Sequence, residues 1–132
     1  EFIMWKNYRE LPEHYSKVDF TIMPSFWESF SFVVVESLSC ETPVITSTAG
    51  ELSKIVDSDV GLSFQTGDRH DLTGALRKAC KISPAQAREM GRCGREKVLN
   101  LFSKEKFLES YLNFIESIVN DTFPPYLSRP GD

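Results

Sequence analysis

Little in this 132-residue chain would serve metal or disulfide chemistry. Its cysteines, Cys40, Cys80 and Cys93, are odd in number and widely spaced. No Cys-x-x-Cys pair occurs and neither histidine, His14 or His70, stands near a cysteine, so the usual metal and redox spacings are excluded. The expectation is buried free thiols in a reducing compartment. Phosphate loops of the Gly-x-Gly-x-x-Gly or Walker type are missing too, which argues against an unrelated phosphate-binding α/β domain. Charge of one sign is nowhere concentrated. The formal net charge is −4 without a block of like charges, so nucleic acid is not an expected partner. No apolar run approaches the roughly 20 residues of a membrane-spanning helix, and the first residues carry no leader pattern. A cytoplasmic domain is expected, with peripheral membrane association left open.

What is present reads as one globular domain, large enough to bury about two-thirds of its unfolded surface. Short apolar runs at residues 2–5, 18–23, 43–46 and 61–64 are strand candidates, each bounded by turn residues or the chain start. Leu11-Pro12 opens a short helix through residue 17, with proline tolerated in the first turn. After Asp68 the period becomes helical. Leu72, Ala75, Leu76, Ala79 and Cys80 share a face, with Asp68 as the cap. Ser83-Pro84-Ala85-Gln86 is a capping-box start, behind which Ala87, Met90, Gly94, Val98 and Leu101 line one side. Gly91 and Gly94 weaken that helix but permit close packing. A last helix at 103–120 carries Phe107, Leu108, Tyr111, Leu112, Ile115, Ile118 and Val119 on an expected buried stripe. Residues 122–132 read as an irregular tail.

Strands separated by helices, without hairpin turns, imply an α/β fold with a parallel sheet covered on both faces. Phe32-Val33-Val34-Val35 favours a strand on propensity alone, because β-branched side chains lose freedom in a helix. A crossover is nevertheless required between Met23 and Val44. The segment 32–40 is therefore read as a helix capped by Ser31.

Two carboxylates of the segment from Pro24 to Ile45, Glu28 and Glu36, are separated by seven residues. Glu28 lies among aromatic and hydroxyl residues, on the loop at the carboxyl end of a parallel strand, where open α/β sheets bind ligands. Residues 29–32 lead into a helix N-terminus, whose free N–H groups suit hydroxyls or a diphosphate. Glu36 lies in an apolar stretch, where a carboxylate is costly unless paired. Its two oxygens can accept from both hydroxyls of a ribose. Phe26, Trp27 and Phe30 read as packing residues.

Pro24-Ser25-x-x-Glu28-x-Phe30-x-Phe32-Val33-x-x-Glu36-Ser37-Leu38-x-Cys40-x-Thr42-Pro43-Val44-Ile45 resembles the donor-binding signature of retaining glycosyltransferases of the GT-B fold, with its E-x7-E motif. Leu11-Pro12 to Asp19, Gly61-Leu62 to Asp68, and Met90-Gly91 to Ser103 resemble its flanks. The resemblance implies a partial Rossmann-like domain of about four parallel strands, the C-terminal half of a GT-B donor domain, filling residues 1–121. It implies a nucleotide-sugar donor and hexosyl transfer with retention of configuration. Glu28 would contact the donor sugar and support charge at its anomeric carbon. Ser29, Phe30, Ser31, Phe32 and Glu36 would bind the donor, with Glu36 on the ribose. No metal or other cofactor is implied. The basic pair that grips the diphosphate, and the N-terminal acceptor domain, would lie before Glu1, so the chain alone is expected to be inactive.

Two departures keep a second reading open. Ser29 and Ser31 stand where the family usually has glycine, and Lys54 stands at a usually acidic position. A degenerate, non-catalytic GT-B-like interaction module is the alternative.

Overall fold

The computed structural model of the chain describes residues 7–120. The expected strand at 2–5 and the tail at 122–132 lie outside them. After a 3-10 turn at Tyr8–Glu10, the order is α1 (Leu11–Tyr15), β1 (Thr21–Met23), α2 (Phe32–Ser39), β2 (Val44–Ser47), α3 (Leu52–Ile55), β3 (Gly61–Phe64), α4 (Arg69–Ala79), α5 (Pro84–Phe102) and α6 (Lys104–Val119). The described strands form a parallel sheet in the order β1-β2-β3, with Thr21 opposite Val44 and Val44 opposite Gly61. The chain divides into two compact units, Glu1–Val98 and Leu99–Asp132.

The sheet of the first unit is buried on both faces, as a parallel sheet requires. On one side Val44 packs with Val34 and Leu38 of α2, Leu52 and Ile55 of α3, and Val98 of α5. On the other, Ile45 and Phe64 meet Ala75 of α4, flanked by Leu72, Leu76 and Ala79. Helix α2 forms despite its three valines because the β1-to-β2 connection must cross over the sheet. Val34 and Leu38, four apart, are fully buried, and Ser31 starts the helix by accepting from the Val34 N–H. Asp68 caps α4 through the N–H groups of His70 and Asp71. Ser83 and Gln86 close the expected capping box on α5.

Helix α5 crosses the end of α2 at two glycines. A Cβ on Gly91 would lie 1.9 Å from the Glu41 carbonyl oxygen, and one on Gly94 would lie 2.6 Å from Leu38 Cδ2. Arg95 completes the contact by donating to the Ser39 carbonyl at the C-terminal end of α2.

Four expectations are corrected. Residues 18–20 are not strand. They follow α1 as a turn, with Val18 N–H bonded to the Tyr15 carbonyl, and the first sheet bond is Thr21 N–H to Pro43. Cys80 is exposed, while Cys40 and Cys93 are half-buried, so the thiols are not uniformly core. Leu101 is exposed, one turn beyond Val98 where the first unit ends. The stripe of α6 is exposed throughout its seven residues, from Phe107 to Val119. Among the described residues the second unit holds only the end of α5 and α6, too little to cover an apolar face of that length. No helix of the described residues is long and apolar enough to cross a membrane.

Candidate functional site

The three strands end at one edge, and the loops leaving them interlock there. Loop 24–31 follows β1, loop 48–51 follows β2, and loop 65–68 follows β3. Ser47 Oγ donates to the Ser25 carbonyl at 2.6 Å, tying the first loop to the end of β2. Thr48 Oγ1 meets Thr66 Oγ1 at 3.3 Å and accepts from the Thr66 N–H, tying the second loop to the third. Gly50, at φ +53°, lies so close to the first loop that a Cβ there would stand 1.8 Å from the Glu28 carbonyl oxygen. That conformation and that approach both demand glycine.

Glu28 is half-buried on this braced loop. Among the described residues, no hydrogen bond or ion pair reaches its carboxylate. Ser29 is exposed beside it, and Phe30 and Phe32 meet edge to face, with ring centroids 5.2 Å apart. Phe32 is 71% exposed, and Phe26 and Trp27 are 81% and 80% exposed. The reading of Phe26 and Trp27 as packing residues is therefore corrected. They ride on a loop at the sheet edge, outside both apolar clusters. Ser31 is 2% exposed, with its hydroxyl at the α2 cap.

Glu36 lies one helical turn past Phe32 and is half-buried. The partner its apolar surroundings demand is Tyr15 of α1, whose hydroxyl donates to Glu36 Oε2 at 3.0 Å. Burial first, and the bond to Glu36 second, push the Tyr15 hydroxyl well above the ordinary tyrosine range. It therefore stays protonated at neutral pH and keeps its proton for the Glu36 carboxylate. A buried network fixes the helices that carry the pair. Ser37 Oγ donates to the Thr42 carbonyl at 2.9 Å and lies 2.8 Å from the Thr21 hydroxyl, and Thr42 Oγ1 donates to the Tyr15 carbonyl at 2.9 Å.

Beside the pair opens a cleft of about 340 Å³, lined by Leu11, Pro12, Phe32 and Val35 together with Glu36 and Cys40. Burial raises the Cys40 thiol, opposed by Arg95, which leaves it a neutral wall atom. No three His, Cys, Asp or Glu side chains of the described residues converge as a metal cage would need. The edge thus offers a carboxylate on a fixed loop, the open N-terminus of α2, and a second carboxylate at an apolar cleft.

Tyr15 and Gly50 are the site residues that residue patterns alone do not find. Tyr15 stands 21 positions from Glu36, a separation without a spacing signal. Gly50 is visible only as a glycine after a strand.

A family model described as "Glycosyl transferases group 1" matches residues 1–97. The chain belongs to this family. The MMP alpha-(1->4)-mannosyltransferase of Mycolicibacterium hassiacum is 30% identical over 96 residues, covering 71% of this chain and 23% of that protein. The D-inositol 3-phosphate glycosyltransferase of Geodermatophilus obscurus is 32% identical over 101 residues, covering 76% and 21%. Among solved structures, the sucrose-phosphate synthase of Thermosynechococcus elongatus superposes with a TM-score of 0.82 at 30% identity, covering 92% of this chain and 30% of that one. Anabaena HepE in complex with UDP superposes at 0.73 with 18% identity, covering 82% and 30%, a likeness of fold alone. The chain therefore spans less than a third of the length of each of these proteins, as a partial Rossmann-like α/β piece of the GT-B architecture.

Proposed function

We propose that this group 1 glycosyltransferase chain is the donor-binding part of an enzyme that moves a hexose from a nucleotide sugar to an acceptor with retention of configuration. One observation carries the reading. A braced loop at the carboxyl edge holds Glu28 before the N-terminus of α2, and the same helix holds Glu36 at an apolar cleft. In this reading Glu28 faces the donor sugar and stabilises positive charge developing at the anomeric carbon, the kind of preorganised electrostatic help that contributes most to such barriers. The first N–H groups of α2, backed by Ser29 and Ser31, receive diphosphate oxygens. Glu36 accepts from the ribose hydroxyls, and Phe30 and Phe32 border the path between the two. Basic side chains come from earlier strands of this same domain and the acceptor surface from an N-terminal domain, and no metal is required.

The test is a kinetic split in the full-length protein. Glu28→Gln should lower kcat by about 10²–10³ with little change in donor KM, as expected for a group acting on transition-state charge. Glu36→Gln should raise donor KM and leave kcat nearly unchanged. Product configuration read by NMR tests retention. The isolated chain should show no transfer and weak or no donor binding, and micromolar affinity by calorimetry would overturn that part.

Exposed Ser29 at the mouth of α2 favours one other reading, a non-catalytic module that keeps the fold. Absence of any sugar transfer by the full-length wild-type protein would support it, whereas unchanged transfer after Glu36→Ala would only remove the ribose role of Glu36.

A further inference from the structure

We propose that Tyr15 is a positioning residue for Glu36, and that its hydroxyl sets discrimination between ribose and deoxyribose in the nucleotide. This rests on the reading of Glu36 as the ribose acceptor and assigns a residue that the reading leaves out.

A glutamate side chain has three rotatable bonds, and its carboxylate turns through a broad torsional well. To take both hydroxyls of a vicinal diol, the carboxylate plane must be held before the ligand arrives. The Tyr15 hydroxyl fixes it at Oε2, 3.0 Å away. A carboxylate has about four acceptor directions. Tyr15 uses one, leaving Oε1 and the remaining lone pair of Oε2 for a ligand in the cleft that both residues line.

Tyr15 is itself fixed by more than its own short helix. Its carbonyl accepts from Thr42 Oγ1, and the Thr42 carbonyl accepts from Ser37 Oγ, the residue after Glu36. Ser37 and Thr42 are 0% and 3% exposed. The donor and the acceptor of the Tyr15–Glu36 bond are thus joined through a buried polar relay that also reaches Thr21 of β1. A surface pair formed by chance has no such support. Held this way, Glu36 binds without first losing side-chain freedom, which is how preorganisation adds affinity. The gain goes to ligands that place a hydroxyl on each of two free directions. A 2′-deoxynucleotide, with one hydroxyl on that edge, needs no such alignment.

The experiment measures UDP, GDP and ADP, each with its 2′-deoxy counterpart, by calorimetry on the full-length protein, its Tyr15→Phe and Glu36→Gln variants, and the double variant. Tyr15→Phe removes one oxygen and keeps the ring, and its thermal midpoint confirms folding. The expected result is a loss of about tenfold for the ribonucleotide, about 1.4 kcal/mol. The 2′-deoxynucleotide should change less than about twofold, so the discrimination ratio collapses. The double variant should bind no worse than Glu36→Gln. Equal losses for both nucleotides, an unchanged ratio, or additive losses in the double variant would each overturn the Tyr15 assignment while leaving Glu36 in place. If no nucleotide binds, or if Glu36→Gln leaves affinity and ratio untouched, the donor-site reading fails and Tyr15 falls with it.

Discussion

Replacing Gly50 by alanine tests whether the Glu28 loop is held where the chemistry needs it. Gly50 has φ +53°, and its missing Cβ would sit 1.8 Å from the Glu28 carbonyl oxygen. Two costs follow. Alanine in the left-handed region is less stable than glycine by about 1–2 kcal/mol. The collision adds to this, because the neighbour is backbone and cannot rotate away. Even the shortest contact real Cβ atoms make, 3.0 Å, requires the carbonyl or Gly50 to move by roughly 1.2 Å, a displacement of the size that costs about 10² in rate when it misplaces a reacting group. Overpacking of this kind destabilises by a further ~1–3 kcal/mol. Gly50→Ala in the full-length protein should therefore lose about 2–5 kcal/mol by urea denaturation and about two orders of magnitude in kcat. Gly74→Ala is the control. No atom lies within 4 Å of its added Cβ and it sits inside α4, so it should gain about 0.5–1 kcal/mol without affecting transfer. A Gly50→Ala protein with unchanged stability would refute the packing reasoning. Lost stability with full kcat would show that the position of the Glu28 loop does not limit the chemistry.

Gly91→Ala should destabilise by about 1–3 kcal/mol, because its Cβ would meet the Glu41 carbonyl oxygen at 1.9 Å. Thermal denaturation measures this, and a neutral result would mean that α5 shifts freely along α2. Thr46 Oγ1 is buried without a hydrogen-bond partner among the described residues. Thr46→Val should therefore be neutral or stabilise by about 1 kcal/mol in the same assay, whereas a loss would reveal a partner. Lys97 Nζ lies 2.6 Å from Asp57 Oδ2 and, as the largest influence, holds the Asp57 carboxyl below its ordinary value. A folded pKa below the unfolded one gives stability that is present above about pH 4 and is lost as pH falls through the lower folded value. Asp57 is more than half exposed, so solvent screening limits the effect to at most ~1 kcal/mol. Asp57→Asn should flatten that acid limb in pH-dependent denaturation, and an unchanged limb would exclude the pair as its source.

The local signals were legible because each acts within a few residues. Ser31, Asp68, and Ser83 with Gln86 cap helices through N–H groups two or three positions away. The strand Gly61–Phe64 keeps its expected bounds, with Gly61 at its start. Helix α2 needed one step more. Its valines favour a strand, and only the need for a crossover between parallel strands turned the reading to a helix.

The two carboxylates and the helix between them are fixed by sequence, since one turn of chain and one cap place Glu28 before α2 and Glu36 within it. Tertiary structure decided what surrounds them. Tyr15 reaches Glu36 and Gly50 reaches Glu28 across 21 and 22 positions, through contacts that exist only once the sheet has formed. The same holds for what stays uncovered. The period of Phe107 to Val119 defines an apolar face but not its cover, and the aromatic character of Phe26 and Trp27 does not say whether they are inside. Periodicity reports which residues share a face. Only packing between distant segments decides what, if anything, lies against it.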